Sequence, residues 1–226
     1  MTNIHTTQQK QEKRQLIMQV AMQLFAKQSY MQITMKQIAA AAGVAKGTIF
    51  NYFTSKEDLF MSILLEKYCS FFNKIMTNIN QEPIITRQDF TNLMIGWTHE
   101  LITDHAELVR LNAIRGPILE GKANMVETIK WRDQLYVISS ELGKLLEEKS
   151  QHLLTQGQFS HLFIIQSGII SGLMNMSALT SFNHQQVALT YPDFTIDLTR
   201  EAEQQIRYYL NGFFEEKEHH EASTNS

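Results

Sequence analysis

The stretch AGVAKGTIFNYF, residues 42–53, sets Gly43 and Gly47 either side of Lys46 and then places three rings, Phe50, Tyr52 and Phe53, within four residues. A buried helix disfavours the glycines and the lysine, and a fully solvated one disfavours the rings. Part of this segment must therefore be buried and the rest presented to a partner. The chemistry on offer is contact with a polyanion. Lys46 and Lys56 can neutralise phosphates, Thr34 and Thr48 can donate hydroxyl hydrogen bonds to them, and Gly47, without a Cβ, lets a backbone come close. Asn51 can pair with an adenine edge, and Tyr52 can touch a base, a thymine methyl or a phosphate. Ile49 and Phe53 are assigned to a core with Ile38, Leu24 and Phe25.

Other reactive residue types offer less. The single cysteine, Cys69, lies in the apolar run KYCSFF and reads as a small buried side chain. His99 and His105 are six residues apart, which does not put both on one helical face as a metal pair needs. There is no glycine loop for nucleotides and no nucleophile elbow. Neither an enzyme, nor a cofactor, nor a metal site is expected.

The elements that must position these residues are helices. Pro is scarce, at 3 of 226 residues, and an all-α protein is expected. Leu16, Ile17, Val20, Ala21, Leu24 and Phe25 make an amphipathic stripe ending near Ser29. Thr34 with Gln37 is a capping box that opens a second helix, and Gly43 closes it in the left-handed conformation. A short helix from about Ala45 to Tyr52 follows, and Ser55 with Asp58 opens a longer one through about Ile75. Two short helices joined by a tight glycine turn form a helix-turn-helix over 34–53, whose second helix suits the DNA major groove. Charge agrees: residues 1–60 hold seven Lys and Arg against three Asp and Glu, whereas the whole chain has a net charge of -3.

The run TMKQIAAAAGVAKGTIFNYFTSKEDLF resembles the DNA-binding domain of the TetR family of bacterial transcriptional regulators. The shared features are the Thr-capped helix, AGV in the turn, KGT opening the recognition helix, the aromatic-x-aromatic-Phe group and SKEDL opening the fourth helix. Family members commonly carry Tyr at the place of Phe50, and Phe50 lacks the hydroxyl for a phosphate. The resemblance implies a ligand-responsive repressor of a palindromic DNA operator. An activator of the same fold, or a protein-binding module that has lost DNA, are the alternatives.

Residues 1–9 read as a disordered arm, 10–56 as the DNA-binding domain, 57–217 as a helical ligand-binding and dimerisation domain, and 218–226 as a flexible tail. The stretch 183–195, with Pro192, reads as a loop or broken helix, and the helices beyond the head begin after Pro83. No Lys, Arg, Asp or Glu occurs between Ser150 and Pro192, and Gly168, Ser171 and Gly172 offer small residues for close helix approach. Gln166, Asn175 and several serines argue against a membrane span, so a helix packed within an assembly is expected. With Ile206, Tyr209, Leu210 and Phe213 from the last helix, two chains can build a four-helix bundle; the resemblance implies the same homodimer. It also implies a cavity for a small-molecule effector, and the Phe, Met and Trp residues of this region lead to the expectation of a largely apolar one. The lining candidates are Phe90, Met94, Trp97, Met125, Trp131 and Tyr136, with Asn112 and Arg115 as polar members. The polar N-terminus carries no secretory pattern, and a cytoplasmic protein is expected.

Overall fold

A computed structural model describes residues 2–81, 86–177, 181–182, 185–186 and 195–224. Among the described residues there are nine α-helices: α1 Thr2–Lys27, α2 Met35–Ala41, α3 Lys46–Ile49, α4 Lys56–Ile79, α5 Arg87–Thr103, α6 Ala106–Ala113, α7 Met125–Lys149, α8 Gln156–Ser177 and α9 Leu198–Thr224. A 3-10 turn at Tyr30–Gln32 joins α1 to α2, and a π-turn at Arg115–Glu120 precedes α7. The described strands, Ser181–Phe182 and Gln185–Gln186, are one two-residue antiparallel pair. The protein is all-α. The expected boundary at Pro83, and all of the expected loop over 183–195 except 185–186 and 195, lie outside the described residues.

The chain divides into two compact units. One comprises residues 1–70 and 114–137, the other 71–113 and 138–226. α4 and α7 each contribute to both.

The first unit closes around side chains from four helices. Ile17, Ala21 and Phe25 of α1, Ile38 and Ala39 of α2, Ile49 of α3, Phe53, and Leu59, Phe60 and Ile63 of α4 are buried. Phe60 packs on Phe25 at 5.7 Å and edge-on to Tyr30 at 5.3 Å. Leu24, expected in this core, is only half-buried. Backbone helix is already present at Thr2, within the stretch expected as an arm. No Pro or Gly precedes Gly43, so nothing in the sequence stops α1 from propagating backwards once its buried face is fixed. For the same reason α9 continues to Thr224, into the expected tail.

In the second unit α5 packs on α9, α6 on α8, and α8 on α9. Aromatic contacts bind these helices: Phe72 to Phe163 at 4.9 Å, Phe90 to Phe159 at 5.0 Å and Trp97 to Phe163 at 6.0 Å. α8 is long and apolar enough to cross a membrane by length and composition. It serves here as a packing helix: Phe159, Leu162, Phe163, Gln166 and Ile170 are buried within the unit. Its other face is open, with Ile164 63% and Met176 53% exposed.

Two glycines show where close packing is real. A Cβ on Gly143 of α7 would lie 2.7 Å from the carbonyl oxygen of Gln156 and 3.0 Å from Ser160 Oγ. A Cβ on Gly96 of α5 would meet nothing within 4 Å. Gly143→Ala is expected to cost about 1–3 kcal/mol in urea denaturation. Gly96→Ala, which only adds helix propensity, is expected to be neutral or to gain up to about 1 kcal/mol.

Candidate nucleic-acid interface

The helix-turn-helix is set by local bonds that the sequence can be read for. Thr34 caps α2: its Oγ1 accepts from the Gln37 N–H at 3.2 Å, and the Thr34 N–H donates to Gln37 Oε1 at 2.8 Å. Gly43 sits at φ +64, the left-handed region that a side chain resists. The chain then turns, and α3 starts after Ala45, where no side chain caps the helix. The helical course outlasts the four residues of α3, because Asn51 and Tyr52 donate to the carbonyls of Thr48 and Ile49 at 3.1 and 3.0 Å. At the far side Ser55 Oγ accepts from the Asp58 N–H at 2.9 Å. The return bond to the Asp58 carboxylate comes from the Thr54 N–H at 2.9 Å, so Thr54 and Ser55 share the cap.

With Ile49 and Phe53 buried beneath, the opposite face of this turn is presented outward. Lys46, Gly47, Asn51 and Phe50 are exposed, Phe50 at 44%. Thr48 and Tyr52 are half-buried. Gly47 has an ordinary helical φ, and a Cβ there would meet nothing within 4 Å. No contact among the described residues requires a glycine at this position. Lys36 on α2, which the sequence reading passed over, is exposed as well.

Two residues of the expected interface are occupied otherwise. Lys56 Nζ donates to the carbonyls of Tyr30 and Ile33, both at 2.9 Å, and lies 4.0 Å from the centroid of the Tyr30 ring. Burial pushes its ammonium below the usual lysine range. Lys56 thus clamps the 3-10 turn. The Thr34 hydroxyl donates to Gln37 Oε1 at 2.9 Å, so its proton is used within the cap.

The residues expected to line an effector chamber do not converge in one unit. Phe90, Met94, Trp97 and Asn112 are buried in the second unit. Arg115, Met125, Trp131 and Tyr136 belong to the first. Arg115 is exposed and paired with Glu120 at 3.3 Å. Met125 and Tyr136 are 72% and 60% exposed, and Trp131 faces Arg14, 5.3 Å from its guanidinium carbon. Helical periodicity marks an apolar face on α7 but does not tell what covers it. Asn112 holds the polar centre of the second unit: its Nδ2 donates to Ser167 Oγ at 2.9 Å and Ser171 Oγ at 2.7 Å, while its buried Oδ1 has no partner among the described residues. Nearby Gln166 Nε2 donates to Thr98 Oγ1 at 2.8 Å.

The expected pairing residues divide similarly. Ile206 and Leu210 are buried within their own chain, on the face of α9 turned to its neighbours, and so are unavailable to a second copy. Tyr209 and Phe213 are half-buried, with their rings 6.2 Å apart. Gly168 and Gly172 are exposed, and a Cβ on either would meet nothing within 4 Å.

A buried scaffold that presents a short helix with a lysine, an amide and a bare glycine defines a helix-turn-helix domain of the DNA-binding class. Residues 17–63 match the family profile described as "Bacterial regulatory proteins, tetR family", and this segment is similar to the DNA-binding domain of those transcriptional regulators. The chain is 36% identical over 124 residues to the fatty acid metabolism regulator protein of Bacillus subtilis, a match covering 54% of this chain and 63% of that protein. The chain therefore spans less than two thirds of that relative's length. Among solved structures it is similar to the fatty acid degradation regulator FadR from Bacillus halodurans, with a TM-score of 0.56 and 24% identity over 88% of this chain and 94% of that one. The FadR of Bacillus subtilis in complex with stearoyl-CoA gives a TM-score of 0.56 and 19% identity, covering 87% and 96%. These two likenesses show the fold.

The two lysines are separated by a stability measurement. Lys56→Met is expected to lower stability by about 1–3 kcal/mol, since two hydrogen bonds from a charged donor are lost. Lys46→Ala, exposed and away from the core, is expected to stay within about 0.5 kcal/mol of the wild type. Urea titrations of both variants check this.

Proposed function

We propose that this chain is a homodimeric repressor that binds a palindromic operator through α3 and is released by a long-chain acyl thioester. The observation that carries the DNA reading is the exposed set Lys46, Gly47, Phe50 and Asn51 on a helix whose opposite side is buried. Lys46 neutralises a phosphate, Gly47 admits the sugar-phosphate backbone, Asn51 reads a base edge and Phe50 packs on sugar or a thymine methyl. Thr48 and Tyr52, half-buried, supply hydroxyls at the margin of the face.

Homodimerisation is supported by the open side of α8. Ile164, Gly168, Gly172 and Met176 lie there at helical spacing, apolar or small and exposed, and no contact among the described residues explains the two glycines. A second copy of α8 fits such a face, and two-fold symmetry matches a palindrome. The effector reading rests on the similarity to the Bacillus subtilis fatty acid regulator and on the interior of the second unit. Phe90, Met94, Trp97, Phe159 and Phe163 surround it, and Asn112 Oδ1 is an acceptor still open to a donor. An apolar chain carrying a few amide groups matches that mixture. The cytoplasm, where operator DNA and acyl thioesters both occur, is the compartment this reading requires.

DNA sequences selected by the full-length protein from a random pool test the first part. Lys46→Ala is expected to weaken binding to every sequence and to reduce the salt slope by about one unit. Asn51→Ala is expected to relax preference at one base pair per half-site; equal loss on all sequences for both variants would refute the division of roles.

Stearoyl-CoA tests the second part. At about 100 times its dissociation constant it should add about 2.7 kcal/mol to stability and lower affinity for the selected DNA. Asn112→Leu should reduce both effects. If sugars or divalent metals act and stearoyl-CoA does not, the effector reading is wrong.

A further inference from the structure

We infer that Arg14 is a positioning residue for the recognition helix, fastening its exit to the first half of α7 by stacking between Phe53 and Trp131. The guanidinium carbon lies 5.1 Å from the centroid of Phe53 and 5.3 Å from that of Trp131. Its in-plane N–H groups are used elsewhere: Nη1 pairs with Glu66 of α4 and lies 3.1 Å from Met18 Sδ. Gln15 holds the other oxygen of Glu66 at 3.2 Å. A planar cation whose edge meets a carboxylate has both faces free for rings, and only arginine offers that combination. The side chain is 17% exposed, so the stack is largely shielded from water.

The location gives the stack its consequence. Phe53 directly follows the turn that bears Phe50, Asn51 and Tyr52. Two residues on, Ser55 Oγ lies 3.5 Å from the carbonyl oxygen of Lys122, just ahead of α7. Glu120 pairs with both Arg115 and Arg132 and braces this segment upon itself. The segment 114–137 is thus attached at two points immediately after the recognition turn. The aim of Asn51 depends on where α7 begins. The role in DNA reading rests on the proposed function; the mechanical link does not.

The test uses the full-length chain with Trp131→Leu, Trp131→Phe, Arg14→Lys and the double variant R14K/W131L. Amide hydrogen exchange reads the link without DNA. The amides of Asn51, Tyr52 and Phe53, bonded to α3 carbonyls, are expected to exchange about three- to tenfold faster in Trp131→Leu and in Arg14→Lys. Those of residues 198–217 should not change. Trp131→Phe, which keeps a ring, should stay near the wild type, and the double variant should be no worse than either single one. On DNA selected by the wild type, Trp131→Leu and Arg14→Lys should each lose about three- to tenfold in affinity, with binding to unrelated DNA unaltered. Wild-type exchange in Trp131→Leu would overturn the inference. So would full rescue by Arg14→Lys, because a lysine keeps the Glu66 pair and loses only the stack. If the wild type selects no DNA, the DNA-binding reading falls, while the exchange arm still decides whether the stack positions the turn.

Discussion

A helix of four residues cannot hold itself. Nucleating a helical turn fixes several dihedrals for a single hydrogen bond, and in water isolated helices shorter than about 12–15 residues are marginal. α3 runs only from Lys46 to Ile49, so its existence depends on Ile49 and Phe53 being buried by α1, α2 and α4. That constraint orders the first unit. The inward side of α3 must be apolar, the outward side is released from any structural duty, and Lys46, Gly47 and Asn51 are free to serve a partner. The long helices around it supply the burial that so short a piece lacks.

Charge is distributed by the same logic. Lys46 and Lys56 are one residue type ten positions apart, and they do opposite things. Lys46 stays exposed, whereas Lys56 gives its protons to two carbonyls that the 3-10 turn leaves over. Arg14 is a third case, its charge met by Glu66 and its faces covered by rings. A cation near a DNA-binding helix is therefore not by itself a phosphate contact. What decides is whether the fold has left it a carbonyl, a carboxylate or a ring to satisfy.

The second unit inverts the balance. Its helices are held by broad aromatic packing, and polarity is confined to a few pairs such as Asn112 with Ser167 and Ser171, and Gln166 with Thr98. Small residues on α8 face two ways. Ser167 and Ser171 turn to Asn112, while Gly168 and Gly172, one position along, lie on the open side. One helix thus serves the interior of its own chain and keeps a smooth exposed face.

Local signals were legible in the residues themselves. Thr34 with Gln37 had to cap a helix, Gly43 had to turn left-handed, and Ile49 and Phe53 had to be inward, because each follows from backbone geometry or period within a few residues. The helix-turn-helix and the all-α class follow from these alone. What needed the tertiary structure was every question of which distant surface meets which. That Lys56 reaches back to Tyr30 and Ile33, that Trp131 sits on Arg14 in the first unit while Trp97 is buried in the second, and that Ile206 and Leu210 close their own chain are facts about partners 23 to more than 100 residues away. A helical stripe in the sequence says that a face will be covered. Only the packing of the whole chain says by what, since the same apolar period satisfies a core, a cavity wall and an interface between copies equally well.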